Sequence, residues 1–215
     1  MTLFGERDRN EIADAIAEVE RHTNAELVTV LAARSDDYVH HAMAWAAIAA
    51  LLLSTPLVLV LSNILVVLFA QLALFCALVL LLRIPAIARR LIPKHIGHWR
   101  ASNMARRQFL DNGLHHTKGE TGVLIFVSEA ERYVEILVDR GVSAHVDDSR
   151  WQAIIDRFVV NVQRGRVATG FVQAIGECGE ILAEAVPKTD DNPNELPNRL
   201  ILIGYDSSSS PKRNA

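Results

Sequence analysis

The sequence is poor in cysteine, and its two cysteines, Cys76 and Cys178, lie far apart without forming a Cys-x-x-Cys pair. That pattern predicts neither a disulfide framework nor a cysteine zinc site, and it fits reducing surroundings. The chain also lacks an excess of basic residues, because its formal net charge is -3. Nucleic-acid-binding proteins usually present a strong positive field, so no nucleic-acid partner is expected.

Motifs of common catalytic sites are missing as well. The sequence contains no GxxxxGK[ST] phosphate loop, no GxSxG nucleophile elbow, no HExxH zinc motif and no DxDxDG calcium loop. The charge-rich segment 1–24 lacks a short apolar core followed by small residues, so it is not predicted to be a secretory signal. Any activity must therefore depend on residues that the fold brings together.

Charge is completely absent between residues 42 and 82, where no Asp, Glu, Lys or Arg occurs. About 20 apolar residues span a bilayer core, so the segment predicts two transmembrane helices, residues 42–61 (Ala42 to Leu61) and Ile64–Leu82, joined by a turn at Ser62-Asn63. A break at Pro56 would leave the first helix too short. Two alternatives stay open: a buried helix pair in a soluble fold, and a single oblique or re-entrant pass.

The residues that flank this hairpin predict its orientation. Basic side chains follow the second pass closely, whereas the connecting turn is uncharged. Cytoplasmic loops are enriched in Lys and Arg, so we expect a multi-pass protein of the inner (cytoplasmic) membrane with the soluble domain and both termini in the cytoplasm. The lipid bilayer is the expected partner, and Trp45 and Trp99 are expected interfacial anchors. Lipid headgroup contacts, in a loop or on an interfacial helix, are predicted for Arg83, Arg89, Arg90 and Lys94.

The chain on either side of the hairpin alternates between helix and strand patterns. Both faces of the strand predicted at 26–33 are apolar, which indicates an interior strand covered by helices on each side. The short link between strands 122–127 and 133–139 predicts a hairpin. Helices are predicted at 6–23, at 101–114, after Asp147 or Asp148, and in a final segment containing Phe171 and Leu182.

This order predicts an α/β fold, a three-layer α/β/α sandwich with a small mixed sheet that a two-helix transmembrane hairpin interrupts. The predicted domain bounds are 1–41 and 83–187 for the two parts of the α/β domain, 42–82 for the hairpin, and 188–215 for a polar, largely flexible tail. One apolar island in the tail, residues 200–203, is compatible with a short edge strand.

Acidic residues form the most suggestive cluster of candidate functional residues. If strand ends and helix starts meet at one rim of the sheet, as in many α/β folds, their carboxylates could hold Ca²⁺ or Mg²⁺. The alternative is that they are ordinary helix caps and polar turns. His95 and His98 have a ligand-like spacing, but a solvated or headgroup role is favoured beside a membrane. The candidate metal ligands are Asp36, Asp37, Asp139, Asp147 and Asp148.

The segment Thr121-Gly-Val-Leu-Ile-Phe-Val-Ser-Glu-Ala-Glu-Arg-Tyr-Val-Glu-Ile-Leu-Val-Asp-Arg-Gly141 resembles the signature of the TPM-domain family. Asn24-Ala-Glu-Leu-Val-Thr-Val30 is similar to the family's first strand, with Glu26 in the position of an acidic residue, and residues 170–187 are similar to its closing helix. The resemblance covers residues 6–187 apart from the hairpin, and it is to a bacterial membrane branch that carries the hairpin inside the domain.

The resemblance implies an α/β/α sandwich and, for some members, acid phosphatase activity or calcium binding, while other members assist membrane complexes. By position, Asp147 or Asp148 matches the family's acidic residue at a helix start, and Asp36 or Asp37 its acidic loop after the first strand. Two functions are therefore expected. One is a membrane-anchored module that binds a cation or partner and supports a membrane complex. The other is a metal-dependent phosphatase acting on phosphate esters.

Overall fold

The structure is a computed structural model. It describes residues 5–36, 39–60, 63–82, 84, 93–189 and 195–205, with the side chains of 43–56 only inside 39–60. The chain divides into two compact units, one made of Met1–Ser35 with Trp99–Ala215 and the other of Asp36–His98.

Strands and helices lie close to the positions that the sequence pattern predicts. The strands are β1 Glu26–Ala32, β2 Gly122–Ser128, β3 Tyr133–Val138 and β4 Leu200–Ile203. The helices of the larger unit, α4 being shared with the other unit, are α1 Glu6–Glu20, α4 Lys94–Asp111, α5 Arg140–Ser143, α6 Asp148–Gln163 and α7 Val167–Ala185, with a 3₁₀ turn at Leu114–His116. The hairpin helices are α2 Val39–Val60 and α3 Ile64–Leu82.

The four strands form one mixed sheet in the order β3-β2-β1-β4. β1 pairs in parallel with β2 and with β4, while β3 runs antiparallel to β2. The predicted β2–β3 hairpin and the predicted mixed sheet are thus confirmed. Because β1 and β2 are neighbours in the sheet, the hairpin between them in sequence is inserted within one α/β domain.

Alternation along β1 and β2 divides the core between the two faces of the sheet. On one face, Leu27 and Leu31 of β1 belong to a core that α1, α6 and α7 complete. On the other face, Val28 and Val30 belong to a core that includes the buried Ala101 and Ala105 of α4. This arrangement is the predicted three-layer sandwich. Every residue of β1 and β2 is buried, as expected of interior strands.

The tail beyond Pro187 is more ordered than predicted. Leu200–Ile203 forms the edge strand β4, which pairs with β1, and the buried carboxylate of Glu26 accepts the backbone N–H groups of Glu195 (3.1 Å) and Leu196 (3.2 Å). The folded domain therefore continues to about Tyr205, because the tail supplies donors to a carboxylate that folding buries.

Two glycines of the TPM-like signature are explained by close backbone approach. A Cβ atom at Gly122 would overlap the carbonyl of Leu114, and one at Gly141 would overlap the carbonyl of Gly119. The Gly141 N–H donates to the Glu120 carbonyl at 2.9 Å, so α5 starts directly against the loop that leads into β2. Glycine permits this approach because it has no side chain.

The smaller unit contains the helical hairpin, in which α2 packs against α3. Ala46, Ala50 and Ser54 of α2 are buried and are spaced four residues apart, so they share one helix face. Small side chains of this kind let two helix backbones approach closely, as in membrane helix pairs. α2 continues through Pro56 to Val60, and the predicted end of the first pass, Leu61, lies outside the described residues.

Candidate functional site

The outward surface of the hairpin is the largest apolar feature of the described chain. Eight large hydrophobic side chains of α3 are exposed, and Phe69, the most exposed of them, keeps 71% of its surface accessible. A globular protein in water rarely presents a contiguous apolar surface of this extent. The hairpin is therefore the first candidate for a functional surface.

Length and composition allow one helix of the described residues, α3, to cross a bilayer, whereas the apolar part of α2, Met43–Pro56, is shorter. The sequence predicted two such passes. The difference arises because the ends of α2 are not fully described, and its first turn contains two histidines. The hairpin is present, and its crossing of a membrane stays a prediction.

The predicted gathering of acidic residues at one rim of the sheet is wrong for Asp36 and Asp139. Asp36 follows the carboxyl end of β1, whereas Asp139 follows β3, which ends beside Gly122 at the start of β2. Since a seven-residue strand is about 20 Å long, the two carboxylates lie at opposite edges. The prediction failed because β3 is antiparallel, so its end lies with the starts of the parallel strands.

The other predicted ligands have local roles. Asp139 caps α5 by accepting the Arg140 N–H at 2.8 Å, and Asp147 caps α6 by accepting the Ser149 N–H at 2.8 Å. Those hydrogen bonds hold the pKa of Asp147 below its usual value. Asp148 occupies the first turn of α6, where its charge suits the helix dipole. Asp37 lies outside the described residues.

Within the described part of the chain, no group of three or more His, Cys, Asp or Glu side chains is arranged to hold a metal ion. The predicted Ca²⁺ or Mg²⁺ site and the phosphatase activity stay predictions. Lys94, predicted to contact lipid headgroups, is exposed at the start of α4. The other three predicted headgroup contacts, Arg83, Arg89 and Arg90, lie outside the described residues.

A hydrogen-bonded network fixes the chain where β1 leaves the sheet toward the hairpin. The Ser35 hydroxyl donates to Ser128 Oγ at 2.8 Å, and Ser128 in turn donates to the Glu131 carboxylate. The Ser35 backbone N–H also donates to Glu131, at 3.1 Å. The turn between β2 and β3 therefore holds the residue at which the α/β unit ends.

Sequence reasoning missed a buried carboxylate pair beside the start of β1. Glu20 and Glu26 are 7% and 2% exposed. Glu20 Oε1 accepts the Leu27 N–H at 3.2 Å, whereas Glu20 Oε2 is buried without a hydrogen-bond partner among the described atoms. The signal was available, because Glu20 continues the buried stripe of Ile12 and Ile16 at a spacing of four residues.

Burial and mutual repulsion shift both members of this pair. Desolvation raises the pKa of Glu20 to about 7, and the nearby Glu26 charge adds to the rise, while the Leu27 N–H opposes it. Desolvation also raises the pKa of Glu26, against the two tail N–H donors. Lys188 donates to the Glu20 carbonyl at 3.0 Å and brings a cation close. The pair thus ties α1, β1 and the tail together.

A second missed carboxylate, Glu135, lies between β3 and α4. Its Oε1 accepts from the Ser102 hydroxyl at 3.2 Å, and its Oε2 is buried without a hydrogen-bond partner among the described atoms. Desolvation raises the pKa of Glu135, while hydrogen bonds from Tyr133 and Ser102 and the charge of Arg106 oppose the rise. A lone buried acid of this kind joins α4 to the sheet.

An open cleft of about 420 Å³ lies at the edge where β1 and β2 begin. Asn24 and Thr189 line it and bond reciprocally, at 2.9 Å and 3.0 Å. The Thr121 hydroxyl donates to the Asn24 carbonyl at 2.9 Å. These bonds make the cleft a junction between the tail and β1.

Comparison with known proteins agrees with this architecture. The model of the TPM domain matches residues 90–181, which confirms part of the resemblance noted in the sequence. No curated protein matches the chain.

Among solved structures, the NMR structure of the BA42 protein from the psychrophilic bacterium Bizionia argentinensis is similar, with a TM-score of 0.59 and 19% sequence identity. The match covers 93% of this chain and 94% of that protein. At this identity the similarity speaks for the fold alone. The chain therefore contains a region that matches the TPM domain within a mixed α/β fold.

Proposed function

We propose that this protein is a membrane-anchored α/β module, whose hairpin holds the TPM-like domain at the cytoplasmic face of a bilayer. There the domain binds a partner and supports a membrane complex. The observation that carries the proposal is the exposed apolar surface of α3, a 19-residue helix without a charged side chain.

The free energy of this surface favours hydrocarbon over water. Fully burying a large apolar side chain contributes about 1.5–3 kcal/mol, so the roughly half-exposed side chains of α3 would together gain on the order of 10 kcal/mol. The polar groups of α2 are compatible with a bilayer, because Ser54 and Thr55 donate to the Leu51 carbonyl within the helix at 3.2 and 2.8 Å.

The alternatives named for an apolar helix fit less well. A core helix of a soluble protein buries most of its surface, whereas α3 buries Val67 and Leu82 and leaves most other side chains at least partly exposed. A cleaved signal would separate β1 from β2, its neighbour in the sheet. Both points support a permanent membrane segment.

Membrane association is tested by two charges on α3. Phe69→Lys with Leu72→Lys places cations on exposed positions of the span, where each costs about 2.5–3.5 kcal/mol of insertion free energy. Val160→Lys is the matched control, because Val160 is an exposed hydrophobic residue of α6. We expect the wild-type chain and the control to stay in membranes after an alkaline carbonate wash and the α3 variant to be released. Release of the wild-type chain contradicts the proposal.

The orientation needs a separate experiment. Single cysteines at Asn63, in the hairpin turn, and at Glu180, exposed on α7, are introduced into a chain with Cys76→Ser. The proposed topology predicts that a membrane-impermeant thiol reagent added outside spheroplasts labels Asn63→Cys and leaves Glu180→Cys unlabelled. The opposite pattern would place the domain on the outer face.

A further inference from the structure

The two outer layers of the α/β sandwich carry charge of opposite sign. On one face of the sheet, α1 has six carboxylates and two arginines, and α7 has three glutamates and no cation. On the other face, α4 has one lysine and three arginines against one aspartate. The basic layer is striking only in contrast with the chain as a whole, whose formal net charge is -3.

The outward face of α4 also presents apolar side chains. Trp99 is 60% exposed and Leu110 is 55% exposed, and Arg106 lies between them in sequence. Spacings of seven and four residues place these three on one stripe of the helix, opposite the face on which Ala101 and Ala105 are buried. Arg107 is exposed beside this stripe.

A stripe that mixes tryptophan, leucine and arginine suits one environment in particular. Tryptophan and aliphatic side chains enter the boundary between headgroups and acyl chains, while arginines pair with lipid phosphates. α4 is also the first helix after the hairpin, separated from α3 by eleven residues, so the chain tethers it near the bilayer. Charge and tether both favour lipid as the occupant.

We propose that the Trp99–Arg106–Leu110 face of α4 lies on the headgroup region of an anionic phospholipid bilayer, which leaves the acidic layer of α1 and α7 directed away from the membrane. This contact rests on the proposed function, since the hairpin delivers the domain to the bilayer. It adds a second, electrostatic attachment that depends on lipid composition and on salt.

The test uses the full chain in vesicles of phosphatidylcholine alone or with about 30% phosphatidylglycerol. Lipids brominated near the headgroup quench nearby tryptophans, and the signal of Trp99 is the difference between the wild-type chain and Trp99→Phe. We expect strong quenching of Trp99 in anionic vesicles and at least roughly twofold weaker quenching in neutral vesicles or at high salt.

Charge variants test the role of the arginines. Arg106→Gln with Arg107→Gln is expected to lower Trp99 quenching in anionic vesicles to the level of neutral vesicles. The matched control is Arg164→Gln with Arg166→Gln, two exposed arginines between α6 and α7, which is expected to keep wild-type quenching. The fluorescence of the buried Trp151 reports that each variant is folded.

Three results overturn the contact: Trp99 unquenched in anionic vesicles, quenching equal in both lipids, or equal loss in the two charge variants. An unquenched Trp99 would leave a protein surface as the partner of this face. Retention after a carbonate wash, measured on the same vesicles, separates the two proposals. A retained chain with unquenched Trp99 refutes only the α4 contact, whereas a released chain with unquenched Trp99 refutes both.

Discussion

Replacing Glu20 by glutamine should change how the stability of the α/β domain depends on pH. Burial raises the pKa of Glu20 from 4.5 to about 7 in the folded chain. Below about pH 4.5 the carboxyl is protonated in both states, and as the pH rises through 7 the unfolded chain ionises first. Stability is therefore lost over this window, by about 3 kcal/mol at 1.36 kcal/mol for each pKa unit.

Glutamine keeps an oxygen for the Leu27 N–H and cannot ionise. Unfolding by urea, followed by Trp151 fluorescence in detergent micelles at pH 5 and pH 8, measures the effect. We expect Glu20→Gln to be about 2–3 kcal/mol more favourable relative to wild type at pH 8 than at pH 5. Removal of the Glu20 charge also relieves Glu26, which acts in the same direction.

Glu180→Gln is the matched control, because Glu180 is an exposed glutamate of α7. Its stability relative to wild type should be the same at both pH values. An equal pH dependence in Glu20→Gln and wild type would refute the conclusion that Glu20 is buried and ionises against desolvation.

Three further substitutions test other parts of the fold by the free energy of unfolding. Gly179→Ala should destabilise by about 1–3 kcal/mol, because its Cβ would overlap an α1 side chain, whereas Gly176→Ala, whose Cβ meets open space, should stabilise by about 0.5–1 kcal/mol; equal effects would contradict the close contact of α1 with α7. Thr23→Val should cost about 2–4 kcal/mol, since the buried hydroxyl bonds two carbonyls and an N–H, and a neutral result would contradict that network. Asp36→Asn and Asp139→Asn should have effects that add within about 0.5 kcal/mol with or without Ca²⁺, and larger coupling would restore a shared site.

Local pattern was sufficient for the sheet and its layers. The apolar runs of β1 and β2 announced interior strands, and the short link after Ser128 announced the antiparallel β3. The island at Leu200–Ile203 was compatible with an edge strand, but its pairing with β1 joins residues about 170 positions apart. No local pattern reports such a partner, which is why the tail was predicted to be largely flexible.

The candidate site was harder to predict because it depends on strand direction and burial. Asp36 and Asp139 both follow strands, but the antiparallel β3 separates them, although the predicted hairpin already contained that information. Glu20 looked like an ordinary end of an amphipathic helix. Its burial follows from β1 and from the distant tail, and only the four-residue spacing from Ile16 indicated it.

The claim that the hairpin lies in a bilayer is tested most directly by the environment of Phe69. A nitroxide at Phe69→Cys, in a chain with Cys76→Ser, is compared with one at Glu180→Cys in vesicles by its collisions with oxygen and with a water-soluble nickel complex. The account predicts that the Phe69 label meets oxygen and is shielded from nickel, while the Glu180 label meets nickel freely. Equal access of nickel to both labels would contradict it.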